Sequence, residues 1–126
     1  HRGKSAEFGR KLCEKLKENG YNTFIETSGA HSLNGNWDWI CLSPKKTAAP
    51  KKEIYSRAHE LKIIIYNQDD FVWAEKHAEL VGEECKLYLQ PEWSNMDKML
   101  NKTIEYVMNN PKWNISLQTH KFMHIP

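Results

Sequence analysis

Hydrogen-bonding and charged side chains recur in this sequence directly after short apolar runs, in five places. Glu26-Thr27-Ser28-Gly29, Ser43-Pro44-Lys45, Asn67-Gln68, Gln90-Pro91-Glu92-Trp93 and Gln118-Thr119-His120 each close such a run. Carboxylate, hydroxyl, amide, ammonium and imidazole groups of this kind suit the recognition of a small polar molecule. None has the spacing of a nucleophilic triad, a zinc ligand set, a Walker loop or a Rossmann GxGxxG turn. The residues can bind and orient; bond-breaking chemistry needs a cofactor. Each group also has a plainer reading. Glu26 can pair with an amidine-like edge of a ligand or sit exposed at a strand end, and His120 can donate to a ligand carboxylate or serve the fold. Lys45 can hold an anion or be solvated. Gln90 can reach a ribose or an adenine, and Glu92-Trp93 can stack on a ligand or open a helix over a buried indole.

The elements that must position these groups follow from periodicity. Residues 5–19 carry Phe8, Leu12 and Leu16 at four-residue intervals, predicting a helix with that face inward and Asn19-Gly20 as its stop. Strands are expected over 21–27, 37–42, 61–66, 85–90 and from Trp113 onward, the second apolar enough to be buried on both faces and the third the clearest, β-branched and apolar. Pro44 and Pro91 should end their strands. Helices are expected over 53–60, over 69–81 with Asp69 and Asp70 at its start, and after Ser94, which resembles an N-cap with Asp97 three residues on. The last helix carries Met96, Met99, Leu100, Ile104, Val107 and Met108, and Pro111 ends it.

Alternating strands and helices predict an α/β fold with a mainly parallel sheet, in one domain spanning all 126 residues. Ligands of such sheets bind at the carboxyl ends of the strands, so the five polar clusters should share one rim. The tail is part of this pattern. Phe122, Met123 and Ile125 precede Pro126, and apolar residues so close to the terminus predict that its carboxylate is packed down near His120.

Totals narrow the function classes. The net charge is +2 with 27% charged residues, which demands neither a nucleic acid nor a membrane partner. Between Lys45 and Lys62 six basic residues face two glutamates, a local excess that fits a solvated surface or an anionic ligand. Cys13, Cys41 and Cys85 are few, odd in number and far apart, giving no disulfide framework and no metal set, and fitting small buried residues of a reducing, cytoplasmic compartment. No apolar run exceeds four residues, and one of these, residues 63–66, is a strand core rather than a membrane span. An abrupt start on HRGKSAEF without an initiator Met suggests a segment of something longer.

Four stretches in order, ETSGA, WICLSPK, KLYLQPEW and ISLQTHKFMHIP, resemble the 7-carboxy-7-deazaguanine synthases, a radical S-adenosylmethionine enzyme family of 7-deazaguanine and queuosine biosynthesis. The resemblance spans nearly the whole chain. It implies the C-terminal half of a partial (β/α) barrel, a homodimer, and conversion of 6-carboxy-5,6,7,8-tetrahydropterin to 7-carboxy-7-deazaguanine by radical ring contraction with loss of ammonia. It also implies S-adenosylmethionine, a [4Fe–4S] cluster and Mg²⁺ as cofactors. Carried over by position, Ser43, Pro44, Lys45, Gln90, Pro91, Glu92 and Trp93 would hold S-adenosylmethionine. Glu26, Thr27, His120 and the carboxylate of Pro126 would contact the pterin. The family's three-cysteine cluster loop and its Gly-Gly-Glu-Pro segment have no counterpart here and are expected upstream, with the Mg²⁺ ligands. No catalytic residue and no metal ligand is therefore assigned to this chain, which is expected to be inactive alone. The alternatives are another radical S-adenosylmethionine enzyme, such as an activase, and a non-catalytic α/β ligand-binding module.

Overall fold

The computed structural model describes residues 2–117, with side chains from residue 7 onward. Ten elements follow one another: α1 (Arg2–Glu18), β1 (Phe24–Thr27), β2 (Trp39–Leu42), α2 (Lys52–Arg57), β3 (Glu60–Ile65), α3 (Asp70–Ala78), β4 (Lys86–Pro91), a short 3₁₀ turn (Trp93–Asn95), α4 (Met96–Asn109) and β5 (Trp113–Ile115). The five strands form a parallel sheet whose spatial order, β1-β2-β3-β4-β5, is also the order of the chain. Helices α2, α3 and α4 connect β2 to β3, β3 to β4 and β4 to β5, as the expected α/β fold requires, while β1 and β2 are joined without one.

The chain divides into two compact units. The first runs to Leu61 and includes Val81–Cys85. Here β1 pairs with β2 from Phe24↔Trp39 to Thr27↔Leu42, and β2 pairs with the start of β3 through Cys41↔Glu60 and Leu42↔Leu61. Its core gathers Cys13, Trp37 and Ile40 with half-buried Ile25 and Leu33. A reciprocal lock fixes the entry to both strands: Thr23 donates its N–H and Oγ1 hydroxyl to Asp38 Oδ2 at 2.7 and 3.0 Å, while Asp38 N–H donates to Thr23 Oγ1 at 2.9 Å. Those bonds, with Lys17 at 3.2 Å, hold the Asp38 carboxyl below its ordinary range.

The second unit comprises Lys62–Leu80 and the chain from Lys86 on. Ile63, Ile65 and Leu89 fill its sheet interior, with Phe71 and Ala74 of α3 and Met96 and Met99 of α4 also buried. The alternating burial of β3 places Leu61, Ile63 and Ile65 inside and leaves Lys62 and Ile64 half-buried. Strand β5 pairs with β4 through Leu87↔Trp113, Tyr88↔Asn114 and Leu89↔Ile115. Glu75 of α3 fastens the far end of that pair. Its Oε2 accepts from Trp113 Nε1 at 3.0 Å and from the Tyr106 hydroxyl of α4, and its Oε1 meets Lys112 Nζ at 2.6 Å.

Several expected details differ. Phe8 and Leu12 are 62% and 42% exposed, and among the described side chains of α1 Cys13 is the one that enters the core. A four-residue spacing marks a helix face without saying whether that face meets this unit's own core. Pro91 does end β4, as expected, but as its last residue rather than the one after it. Ser94 is not the cap. Glu92 caps the 3₁₀ turn by accepting from Ser94 N–H at 2.8 Å, and α4 then begins at Met96 with no side-chain cap. Asp70 turns back toward the chain before α3, accepting from the N–H groups of Tyr66 and Asn67 at 2.7 and 3.1 Å.

Candidate functional site

The carboxyl ends of β1 and β2 lie side by side in the first unit because Thr27 pairs with Leu42 and Ser43 N–H donates to Thr27 O at 2.8 Å. Beyond Thr27 the chain turns sharply. Gly29 has φ +77°, and a Cβ there would meet Leu42 Cδ1 and Pro50 Cβ at 2.8 Å each, so both backbone conformation and space demand glycine. Thr27 Oγ1 accepts from Gly29 N–H at 3.0 Å, and Lys51 N–H donates to Gly29 O at 2.7 Å. Thus Thr27, Ser28, Gly29, Ser43 and Pro44 are brought together. Glu26 is exposed, opposite Cys41 in the ladder, and Lys45 is exposed at the start of a small bridge to Ala48.

Ser43 is the chemically conspicuous member of this group. The residue is 2% exposed, and its buried Oγ has no hydrogen-bond partner among the described residues. A buried hydroxyl without a partner costs about 1–3 kcal/mol, so a ligand that pairs with it recovers that energy on binding.

In the second unit the ends of β3 and β4 are joined. Glu92 N–H donates to Ile65 O at 2.9 Å, and Asn95 Nδ2 donates to Tyr66 O at 2.8 Å. Gln90 is only 3% exposed and accepts at Oε1 from the Ser116 hydroxyl at 3.0 Å. Pro91 is buried beside it, while Glu92 is half-buried and engaged with Ser94, and Trp93 is 37% exposed. An exposed indole next to buried amide and proline groups suits stacking on a planar ligand. Gln68 instead opens onto a cavity of about 310 Å³ with Phe71, Lys102, Tyr106 and Asn109. Gln118, Thr119, His120 and Pro126 lie outside the described residues.

Two participants escaped sequence reasoning. Ser116 reads as one more polar residue of an alternating strand, and its role depends on a partner 26 positions away. Glu75 reads as a solvated helix residue. Burial favours its neutral form, yet the bonds from Lys112, Tyr106 and Trp113 outweigh that and lower its pKa overall. Tyr106, by burial and by its bond to Glu75, is pushed up to about 12.

The cysteines do not fit an iron–sulfur cluster. Cys13 is buried with its thiol 3.8 Å from Thr23 Oγ1, and Cys41 is buried with its thiol 3.3 Å from Glu60 Oε2. Half-buried Cys85, expected to be fully buried, has its thiol pushed up to about 11 by burial and then by the Glu60 charge. Cluster ligands are thiolates brought together around the iron, the opposite of this arrangement. Among the described residues no group of three His, Cys, Asp or Glu side chains could hold a metal ion. No described helix is long and apolar enough to cross a membrane.

Proteins of known name are similar to this chain in sequence or in fold. The 7-carboxy-7-deazaguanine synthase of Flavobacterium psychrophilum is 52% identical over 115 residues, covering 91% of this chain and 55% of the relative. That of a Synechocystis species is 44% identical, covering 90% of the chain and 54% of the relative. The chain thus spans about half the length of the curated relatives it matches. No protein-family model matches it. Among solved structures, QueE from Escherichia coli superposes with a TM-score of 0.72 at 24% identity, over 85% of this chain and 48% of that one, a likeness of fold.

Proposed function

We infer that this chain belongs to the 7-carboxy-7-deazaguanine synthase family, as the C-terminal portion of such an enzyme, and that it supplies the binding half of the active site. The observation that carries this reading is 52% identity sustained over 91% of the chain to a synthase of that name. The fold likeness and the buried, unpartnered Ser43 hydroxyl support it.

On this reading the whole enzyme converts 6-carboxy-5,6,7,8-tetrahydropterin to 7-carboxy-7-deazaguanine, contracting a ring and losing ammonia, as a cytoplasmic homodimer in the 7-deazaguanine pathway. S-adenosylmethionine, acting with an iron–sulfur cluster and Mg²⁺, supplies the radical that starts the rearrangement. The strand ends described here fit the first of these cofactors. Ser43 offers a dry hydroxyl, Pro44 a rigid wall and Lys45 a positive charge, while Gln90, Pro91, Glu92 and Trp93 offer an amide, a wall, a carboxylate and a stacking face. On this reading the ligands of the cluster and of the Mg²⁺ ion would lie in the remainder of the enzyme; among the described residues no three His, Cys, Asp or Glu side chains could hold a metal ion.

For the pterin, Glu26 can accept two N–H groups of the amidine-like edge in a bidentate pair, with Thr27 beside it. His120 and the Pro126 carboxylate complete the proposed set, His120 donating to the carboxyl group of the substrate and Pro126 accepting from ring N–H groups. These residues hold a substrate still while a cofactor does the chemistry, which is positioning catalysis.

The test is anaerobic reconstitution of the full-length protein with iron and sulfide, followed by assay with the carboxypterin. Product formation is expected from the full-length protein and none from residues 1–126 alone. Absence of product from a fully reconstituted enzyme would sink the reading in favour of another radical enzyme or a binding module.

A further inference from the structure

We propose that Ser116 is a positioning residue that fixes the Gln90 amide, so that the end of β4 offers the ligand an N–H₂ donor. The inference rests on the reading that this strand end binds S-adenosylmethionine, and it names the acceptor side of that contact: a ribose hydroxyl oxygen or a purine ring nitrogen.

Gln90 is 3% exposed, and among the described residues its side chain makes one hydrogen bond, accepting through Oε1 from Ser116 Oγ at 3.0 Å. With the oxygen occupied, the nitrogen is the end of the amide left for another partner. An amide is a rod with opposite hydrogen-bonding ends, so the neighbour that holds one end decides what the other presents.

Ser116 is well held for this task. Its N–H donates to Leu89 O at 2.9 Å, continuing the β4–β5 ladder one step past Leu89↔Ile115 and setting the hydroxyl beside Gln90. The opposite end of β5 is anchored by Trp113, which is 1% exposed and bonded to Glu75. The strand therefore cannot slip without breaking a buried indole contact, and the Ser116 hydroxyl keeps its place. The result is a binding group held by a residue that need not touch the ligand itself.

The test uses the full-length, reconstituted protein and isothermal titration with S-adenosylmethionine, so that binding is read apart from turnover. Ser116→Ala should weaken binding about five- to tenfold with an unchanged melting profile of the free protein, and Ser116→Thr should restore it. In a Gln90→Ala background the Ser116→Ala change should have no further effect, which a merely structural serine would not show. Gln90→Glu keeps an acceptor for Ser116 and replaces the donor, so binding should fall by more than tenfold. Equal affinity in Ser116→Ala, additive losses in the double variant, or undiminished affinity in Gln90→Glu would each overturn the proposal. If the unaltered protein binds no S-adenosylmethionine, it is the parent reading that fails.

Discussion

A hydroxyl buried without a partner pays its desolvation cost whenever the site is empty, and Ser43 is such a group. Ser43→Ala should therefore leave the free protein as stable or slightly more stable in denaturant titrations, while affinity for S-adenosylmethionine in the full-length enzyme falls roughly tenfold, about 1.4 kcal/mol. A serine with a structural role would give the reverse pattern, lost stability with unchanged affinity. Gly29 makes the contrasting case. Its positive φ and the 2.8 Å approach to Leu42 and Pro50 mean that Gly29→Ala should destabilise by about 2–4 kcal/mol, read from the urea midpoint, before any ligand is considered. Residues like Ser43 were legible in the sequence because polar types stood out after an apolar strand. Ser116 was not, since a hydroxyl on a half-buried strand has no signature until its partner is known.

The strands and helices were legible to within a few residues because their periods are local properties of the chain. What failed was the assignment of faces and caps, which depends on tertiary partners. Phe8 and Leu12 have helical spacing, but among the described side chains Cys13 is the one that α1 buries. Ser94 has the right type for a cap, but Glu92 takes the role because the chain between them forms a 3₁₀ turn. The fastening of α3, α4 and β5 through Glu75 was invisible for the same reason, its partners lying 31, 37 and 38 positions on. It makes an acid-sensitive element. The Glu75 pKa is lowered in the fold, so its contribution to stability is present above the ordinary glutamate range near 4.5 and is lost as pH falls through the folded value. Glu75→Gln should flatten that portion of the acid unfolding curve measured by circular dichroism, and should lower stability at pH 7.

At the scale of the molecule, β1 is the terminal strand of the sheet among the described residues, and Phe8, Tyr21 and Phe24 of the same unit are 62, 64 and 61% exposed. A parallel sheet normally has both faces and its edges covered, whereas these large apolar side chains are exposed. The chain alone should therefore bind an apolar dye strongly and associate with increasing concentration, and replacing Phe24 by Lys should reduce both signals. Light scattering that stays monomeric at every concentration would count against an open edge. The cysteines, absent from any ligand set, offer something else. Cys13, Cys41 and Cys85 all belong to the first unit, none to the described part of the second, and two are buried while the third has a thiol near 11. With roughly one Cys85 thiol in a thousand ionised at pH 8, alkylation of the folded protein should be slow. Pulse labelling with a thiol reagent thus becomes a clock for the opening of the first unit alone, and comparison with amide exchange in α4 and β5 would tell whether the two units unfold together or in turn.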